Sequence, residues 1–190
     1  MNHDDAPPEA SPVEQADIAA ARRVARHRHD PVLRATTAFS KLADQPPLLA
    51  ASAAVVAWGL LAGDPRLARR GAHLVASLAV VTAIKAAAKR AVSRTRPNVL
   101  LDEGVYRVEP LGPDEGPWHS FPSGHTAGAV ALARAIARCW PEAALPAYGA
   151  AAAVALVQVP RGAHYPSDVL AGAVIGVAAE AIVNRLFPPR

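Results

Sequence analysis

The chain alternates between long apolar tracts and short polar segments. Residues 45–63 and 143–160 contain no charged side chain, and three further apolar tracts, at 72–92, 124–140 and 168–187, each contain a few. A helix needs about 20 apolar residues to cross a bilayer. The pattern therefore predicts an all-α, integral-membrane bundle of about five transmembrane helices. A soluble, alanine-rich helical bundle is the alternative, although the uncharged tract 45–63 lacks the polar stripe expected of a soluble helix.

The amino-terminal region predicts different elements. Residues 1–11 are acidic and proline-rich, which is typical of a disordered tail and unlike a signal peptide. Ser11–Glu14 (SPVE) has the spacing of a capping box, so we expect an amphipathic helix over 12–28 and a shorter helix over 31–43. Such helices lie along lipid headgroups or pack on their own bundle. The predicted division of the chain has three parts: a disordered tail (1–11), amphipathic or interfacial helices (12–44) and a transmembrane domain (45–190).

Composition narrows the class of protein. The 190 residues are 52% hydrophobic and 19% charged, with a formal net charge of +4. Aromatic residues make up only 5%, so the aromatic platforms and basic face of a nucleic-acid-binding protein are not expected. Basic residues near the ends of apolar tracts are instead typical of membrane proteins. Alanine and glycine dominate the apolar tracts, which allows helix backbones to approach closely.

Three short polar stretches carry candidate chemistry, and the first is Lys89–Pro97 (KRAVSRTRP). Lys89 and Arg96 are separated by two helical turns and would project from the same side of a continued helix. Two cations held together at a membrane surface attract an anion. A positively charged anchor at a helix end is the alternative interpretation of this stretch.

The second stretch is Phe121–Thr126 (FPSGHT), which opens an apolar tract. Ser123 is expected to cap a helix there, and Gly124 lets backbone amides approach a ligand. A helix amino terminus presents unpaired N–H groups to an anion, and His125 would stand beside whatever binds. An ordinary helix cap with an interfacial histidine is the alternative.

The third stretch is Arg161–Asp168 (RGAHYPSD), again before an apolar tract. Asp168 follows His164 by four residues, close enough to accept a hydrogen bond from one imidazole nitrogen. Such a carboxylate makes the other nitrogen a better nucleophile. An acidic residue that complements the dipole of a helix amino terminus is the alternative explanation of Asp168.

The order and spacing of the three stretches resemble the type 2 phosphatidic acid phosphatase family, which shares its site with vanadium-dependent haloperoxidases. The resemblance extends over residues 45–187. It implies a membrane lipid phosphatase that hydrolyses a phosphate or pyrophosphate monoester through a phosphohistidine, without a metal or other cofactor. A haloperoxidase is less consistent with the sequence, because those relatives are soluble.

The resemblance also implies a role for each matching residue. His164 would attack phosphorus, Asp168 would orient it, and His125 would protonate the leaving alkoxide and then activate water. The residues expected to bind the substrate phosphate are Lys89, Arg96, Ser123 and Gly124.

One position departs from the family pattern. Gln158 stands where the family has an arginine in its third motif, and glutamine carries no charge. We expect Arg161, three residues later, to supply the missing guanidinium. The alternative is a non-catalytic protein of the membrane that binds lipid phosphates.

The expected partners are a lipid phosphate substrate and the bilayer, not nucleic acid. The resemblance suggests a multi-pass protein of the cell membrane with its site on the outer face, while a cytoplasmic site stays open. Prenyl pyrophosphate, phosphatidate, phosphatidylglycerol phosphate, lipid A phosphate and a prenyl-linked sugar phosphate all fit the residues, and the sequence indicates no oligomeric state.

Overall fold

The structure is a computed structural model that describes residues 10–25, 28, 30, 31, 33, 44–112 and 116–189. The disordered tail expected over 1–11 and the short helix expected over 31–43 lie almost entirely outside the described residues. Within them the chain is mainly helical, as predicted. The helices are α1 (Pro12–Ala25), α2 (Gln45–Leu61), α3 (Pro65–Ala91), α4 (Pro97–Glu103), α5 (Gly124–Cys139), α6 (Ala144–Leu156) and α7 (Pro166–Leu186).

A small antiparallel sheet interrupts the helices at one end of the bundle. Strand β1 (Val92–Arg94) follows α3 directly and pairs with β2 (Val108–Pro110), so that Ser93 faces Glu109. The sheet and α4 lie in the polar connection before α5. The carboxyl end of α3 and the amino ends of α2, α5 and α7 lie at this same end, which brings the three polar stretches together.

The core is formed by α3, α5 and α7, with α2 packed chiefly on α3 and α6 on α5. Leu78 and Val81 of α3 meet Ala127 and Ala131 of α5 and Ala179 of α7 in one buried cluster. Small side chains permit this packing. The helix axes can come close because alanine leaves little volume between them.

Glycines allow the closest approaches between helices. A Cβ on Gly172 of α7 would lie 2.5 Å from the carbonyl oxygen of Ser123, and one on Gly176 would lie 2.6 Å from that of Ala127. Both distances are too short for a side chain. The close helix packing predicted from the small residues is therefore present between α5 and α7, and it reaches the end where the polar stretches lie.

Among the described residues, two helices are long and apolar enough to cross a membrane, α3 with 27 residues and α7 with 21. Helix α2 is apolar but has 17 residues, and α6 has 13. At 1.5 Å per residue α6 is only about 20 Å long, short of a hydrocarbon core of about 30 Å. Large apolar side chains such as Leu61 and Leu145 are more than 80% exposed, which suits a lipid-facing surface. These features fit a membrane protein, but five spanning helices are not confirmed.

Helix α1 begins with the capping box predicted from the sequence. The backbone N–H of Ser11 donates to Glu14 over 2.9 Å, and the Ser11 hydroxyl accepts from the Glu14 N–H over 3.4 Å. Ile18 and Ala21 are buried against Leu100 and Tyr165. The sequence left open whether this helix lies along lipid headgroups or packs on the bundle. In the structure it packs on the bundle.

At the opposite end of the bundle a buried carboxylate joins three helices. Glu180 of α7 is fully buried and accepts from Arg134 Nε of α5 over 3.0 Å. Arg138 Nε of α5 lies 3.5 Å from the same carboxylate, and His73 Nε2 of α3 lies 3.6 Å from it. A charged group in such surroundings is tolerated because basic groups compensate it.

Candidate active site

Lys89 and Arg96 reach one cavity by a different local structure from the one expected. Helix α3 ends at Ala91, and residues 92–94 are extended. The two cations therefore do not share a helix face, because the strand breaks the helical period between them. Arg96 instead occupies the position just before α4, and its backbone N–H donates to Pro117 O over 3.1 Å. Both side chains nevertheless line the cavity described below.

Ser123 caps α5 as predicted. Its hydroxyl accepts from the Thr126 N–H over 3.4 Å and lies 2.9 Å from the Thr126 hydroxyl. The Ser123 N–H donates to Asp168 O over 3.0 Å, so the second and third stretches are directly joined. Ser123 is fully buried behind the cavity, whereas Gly124 and His125 line it.

His164 lies buried in the loop between α6 and α7, with its two ring nitrogens in different settings. Nδ1 lies 2.6 Å from the carbonyl oxygen of Ser120. A carbonyl only accepts, so Nδ1 carries the hydrogen and Nε2 keeps its lone pair. Burial lowers the pKa of His164 to about 3, and the nearby Arg96 and Lys89 add to the effect. His164 is therefore neutral at physiological pH, which is the form that acts as a nucleophile.

Asp168 does not hydrogen-bond to His164. Its Oδ2 lies 4.0 Å from His164 Nδ1, which is beyond hydrogen-bond length. Oδ2 instead accepts from the Tyr165 N–H over 2.8 Å, and Oδ1 accepts from Arg94 Nη1 over 2.8 Å. The carboxylate thus fixes the backbone next to His164, while Ser120 fixes the imidazole itself.

Arg94 is a buried cation that the sequence analysis did not single out. Its Nη2 donates to Asp17 Oδ2 over 2.9 Å, and its Nη1 contacts Asp168 and the Ser167 hydroxyl. The guanidinium also lies 4.0 Å from the ring centre of Tyr165. Asp17 accepts from the Ser167 N–H over 3.0 Å as well. Arg94 and Asp17 therefore attach α1 to the first turn of α7, directly behind the third stretch.

Of the eight predicted site residues, all except Ser123 and Asp168 line a single cavity of about 440 Å³. It is lined by Lys89, Arg96, Gly124, His125, Arg161 and His164. Gln158 lines it too, with its Nε2 donating to Val154 O over 2.7 Å. Farther into the bundle the lining becomes apolar and includes Leu48, Leu78 and Val81. One end of the cavity thus suits an anion and the other an aliphatic chain.

Four further polar residues line this cavity, and none was among the predicted site residues: Asp44, Gln45, Thr82 and Lys85. Asp44 Oδ1 lies 2.7 Å from His125 Nε2, and Lys85 Nζ donates to Gln45 Oε1 over 2.7 Å. Lys85 Nζ would be 3.9 Å from a Cβ on Gly124, so its ammonium faces the start of α5. The position of Lys85 one turn before Lys89 was a signal for a larger cation cluster. Nothing near Asp44 in the sequence indicates its contact with His125.

Burial also affects the guanidinium groups of the cavity. It lowers the pKa of Arg96, against the opposing effect of Asp168, and it lowers the pKa of Arg161, against that of Asp44. A partly desolvated guanidinium is well suited to a charge-assisted bond with an anion. Within the described ranges, no group of three or more histidine, cysteine or acidic side chains is arranged to hold a metal ion.

Comparison with known proteins identifies the family. The chain matches the PAP2 superfamily over residues 70–190, more than half of its length. The chain therefore belongs to the PAP2 superfamily, which confirms the resemblance seen in its motifs.

Two kinds of relative illustrate the range of the family. A lipid A 1-phosphatase of Rhizobium etli is 33% identical over 106 residues, which are 56% of this chain and 45% of that protein. A decaprenylphosphoryl-5-phosphoribose phosphatase of Mycobacterium tuberculosis is 32% identical over 163 residues, or 77% of this chain and 85% of that protein. The chain spans less than half the length of the lipid A 1-phosphatases that it matches.

Solved structures share the fold. LpxE of Aquifex aeolicus superposes with a TM-score of 0.59 at 22% identity, covering 87% of this chain and 92% of the other. A transmembrane PAP2-type phosphatidylglycerolphosphate phosphatase of Bacillus subtilis gives 0.65 at 19% identity, covering 94% and 87%. At these identities the likeness concerns the fold.

Proposed function

We propose that this protein hydrolyses a lipid phosphate or pyrophosphate monoester. The observation that carries the proposal is the cavity itself. It places the neutral His164 and three cations, Lys89, Arg96 and Arg161, around one polar end, next to an apolar end. A phosphorylated lipid has the same division into an anionic head and an aliphatic tail.

In the first step on a phosphate monoester, His164 Nε2 attacks phosphorus, and the bond from phosphorus to the lipid oxygen breaks; on a pyrophosphate monoester the bridging P–O bond would break instead and a lipid monophosphate would leave. The negative charge that builds on the phosphoryl oxygens is stabilised by Lys89, Arg96 and the Gly124 N–H, which are in place before the reaction. His125 gives its proton to the departing alkoxide. The products are a lipid alcohol and a phosphohistidine at His164.

In the second step, water attacks the phosphohistidine. His125, now neutral, takes a proton from the water, the bond from phosphorus to His164 breaks, and inorganic phosphate is released. The Ser120 carbonyl keeps the Nδ1 hydrogen of His164 in place in both steps, so Nε2 stays the reacting nitrogen. We propose that the cations do the electrostatic work and that no metal is required.

The apolar side chains in the cavity and on the exposed surface support a placement in a membrane. We propose that the chain is a multi-pass protein of the cell membrane with about five spanning helices, a site on the outer face, and the lipid tail along Leu48 and Leu78. The lipid A and decaprenyl phosphates named in the relatives suggest the substrate classes to test first.

The test is release of inorganic phosphate from a panel of lipid phosphates by the purified protein in detergent. The panel contains phosphatidate, a prenyl diphosphate and lipid A, with His164→Ala as the inactive variant and Arg185→Ala as a control at the opposite end of the bundle. We expect activity that vanadate inhibits and EDTA does not, together with an acid-labile phosphoenzyme that His164→Ala lacks. Equal activity of wild type and His164→Ala would contradict the proposal.

A non-catalytic lipid-phosphate-binding protein is favoured by one observation, the uncharged Gln158 in the cavity wall. In that case the wild type binds phosphatidate vesicles but releases no phosphate from any lipid of the panel. The two functions therefore give different results in the same experiment.

A further inference from the structure

Among the residues that the structure describes, Asp44 is the single acidic one in the lining of the cavity. It immediately precedes α2, and its Oδ1 lies 2.7 Å from Nε2 of His125, the second residue of α5. Although Asp44 occupies the position that usually caps a helix, its side chain makes no capping hydrogen bond to α2. The start of α2 therefore does not require this carboxylate, and the contact with His125 needs another explanation.

The contact determines which proton His125 can transfer. A carboxylate accepts hydrogen bonds, so the hydrogen between the two groups belongs to His125 Nε2. Nδ1 is then the nitrogen whose proton can be exchanged. An adjacent carboxylate also favours the charged imidazolium.

The surroundings of His125 otherwise oppose its protonation. Burial of the ring disfavours the charged imidazolium most. The positive charges of Arg161, in the loop before α7, and of Lys85 on α3 act in the same direction, and the neutral His164 lies nearby. Within the described part of the chain, Asp44 supplies the one negative charge that acts on His125 from the elements around the cavity. An adjacent carboxylate favours the protonated form of a general acid that lies among cations.

The residue next to Asp44 also reaches across the cavity. Gln45 Oε1 accepts from Lys85 Nζ over 2.7 Å, and Gln45 Nε2 contacts the hydroxyl of Thr82. These bonds attach the start of α2 to α3. They hold the backbone of residues 44 and 45 in place, which gives the Asp44 carboxylate a fixed position opposite His125.

We propose that Asp44 is a positioning residue that orients His125 and favours the protonated form from which a proton passes to the leaving group. The inference rests on the proposed function. Asp44 lies outside the three motifs and outside residues 70–190, over which the family matches.

The test uses the dependence on the leaving group. An alkoxide must be protonated to leave, whereas p-nitrophenolate leaves without a proton. For Asp44→Asn we expect kcat/KM on a lipid alkyl phosphate to fall about 10- to 100-fold, a part of the 10²–10⁴ contributed by general acid catalysis. On p-nitrophenyl phosphate we expect kcat/KM to change less than about threefold. The parameter kcat/KM includes only the steps up to the departure of the leaving group, and p-nitrophenolate needs no proton in those steps. Asp44→Glu, which keeps the carboxylate, should recover most of the alkyl phosphate activity.

The pH profile gives a second result. Because loss of an adjacent carboxylate lowers the pKa of a histidine, the basic limb of kcat/KM for the alkyl phosphate should move by about one unit to lower pH in Asp44→Asn. In a His125→Ala background, Asp44→Asn should add no further loss. Asp64→Asn is the matched control, since Asp64 also precedes a proline-started helix but caps α3 at the opposite end of the bundle.

Two results would overturn the proposal. Equal losses on the alkyl and aryl substrates would mean that Asp44 is structural. A gain in kcat/KM on both would mean that Asp44 competes with the substrate phosphate for His125. Failure of the proposed function is distinguishable, because the wild type would then hydrolyse no lipid phosphate before any variant is compared.

Discussion

At the scale of single residues, the groups around the ring of His164 determine its protonation state and its tautomer. Its buried position excludes the water that would solvate an imidazolium, and the carbonyl of Ser120 selects the tautomer. The loop before α5 thus orients the imidazole of the proposed nucleophile, whereas the Asp168 carboxylate binds the neighbouring backbone N–H of Tyr165.

The depressed pKa of His164 predicts a loss of stability in acid. In the folded protein the pKa is about 3, against 6.5 for the unperturbed group. The unfolded chain therefore binds the extra proton first, and the folded state loses stability as pH falls from about 6.5 towards 3. Between pH 7 and 5 this group should lower the free energy of unfolding by roughly 2 kcal/mol.

The measurement is chemical or thermal unfolding in detergent at both pH values. His164→Asn, which does not titrate, should show a pH-dependent loss smaller by that amount. If wild type and His164→Asn lose the same stability between pH 7 and 5, His164 is not held neutral in the folded protein.

Arg161 is predicted to act in place of the arginine absent at Gln158. Both side chains line the cavity, but only the guanidinium can form a charge-assisted bond, which contributes about 1.5–3 kcal/mol. We expect Arg161→Ala to lower kcat/KM about 10- to 100-fold, and Gln158→Ala to lower it less than about threefold. Introducing Gln158→Arg into Arg161→Ala should restore part of the loss. Activity of Arg161→Ala close to the wild type would show that Arg161 does not have this role.

At the scale of helices and strands, Gly172 sets the distance between α5 and α7. A Cβ at this position would lie 2.5 Å from the Ser123 carbonyl oxygen, which belongs to the backbone and cannot turn aside. Gly172→Ala must separate the two helix starts that carry His125 and Asp168. We expect a destabilisation of about 1–3 kcal/mol together with a loss of phosphate release.

Gly149 of α6 is the matched control for Gly172. A Cβ there would have no neighbouring atom within 4 Å. Gly149→Ala should therefore leave activity unchanged and stabilise the helix by about 0.5–1 kcal/mol. Thermal unfolding and phosphate release, measured on both variants, test the comparison. A harmless Gly172→Ala would mean that α5 and α7 can separate without cost.

Local sequence signals predicted the elements better than the contacts between them. The capping box at Ser11 and the cap at Ser123 were readable because both depend on residues three positions apart. The end of α3 was missed, because Val92–Arg94 contains no proline or glycine and extends by pairing with β2. The contact between Asp17 and Arg94 joins residues 77 positions apart, and no local pattern specifies such a pair.

At the scale of the whole molecule, the amino-terminal helix α1 is part of the structure that supports the site. Asp17 is buried and binds both Arg94 and the first turn of α7. Asp17→Ala leaves Arg94 with Asp168 as its remaining carboxylate partner and leaves the Ser167 N–H without its acceptor. We expect a loss of about 2–3 kcal/mol, since one partner of a buried ion pair is removed.

The expected change in melting temperature for Asp17→Ala is a decrease of roughly 4–12 °C at this chain length. Asp102→Asn is the control, because Asp102 pairs with Arg28 at the exposed surface, where ion pairs contribute little. If both variants melt at the wild-type temperature, α1 contributes no stability to the bundle.

The ties between α5 and α7 at both of their ends limit how a large molecule can enter. The Ser123 N–H donates to Asp168 O at one end, and Arg134 donates to Glu180 at the other, so a separation of these two helices would break bonds at both ends. Helix α2, which packs chiefly on α3, carries Pro46, Pro47 and Leu48 along the cavity edge. The cavity wall formed by the start of α2 is therefore the part of the lining that these two bonds do not hold, and a bulky substrate of the proposed kind would displace α2 before it displaced α5 or α7.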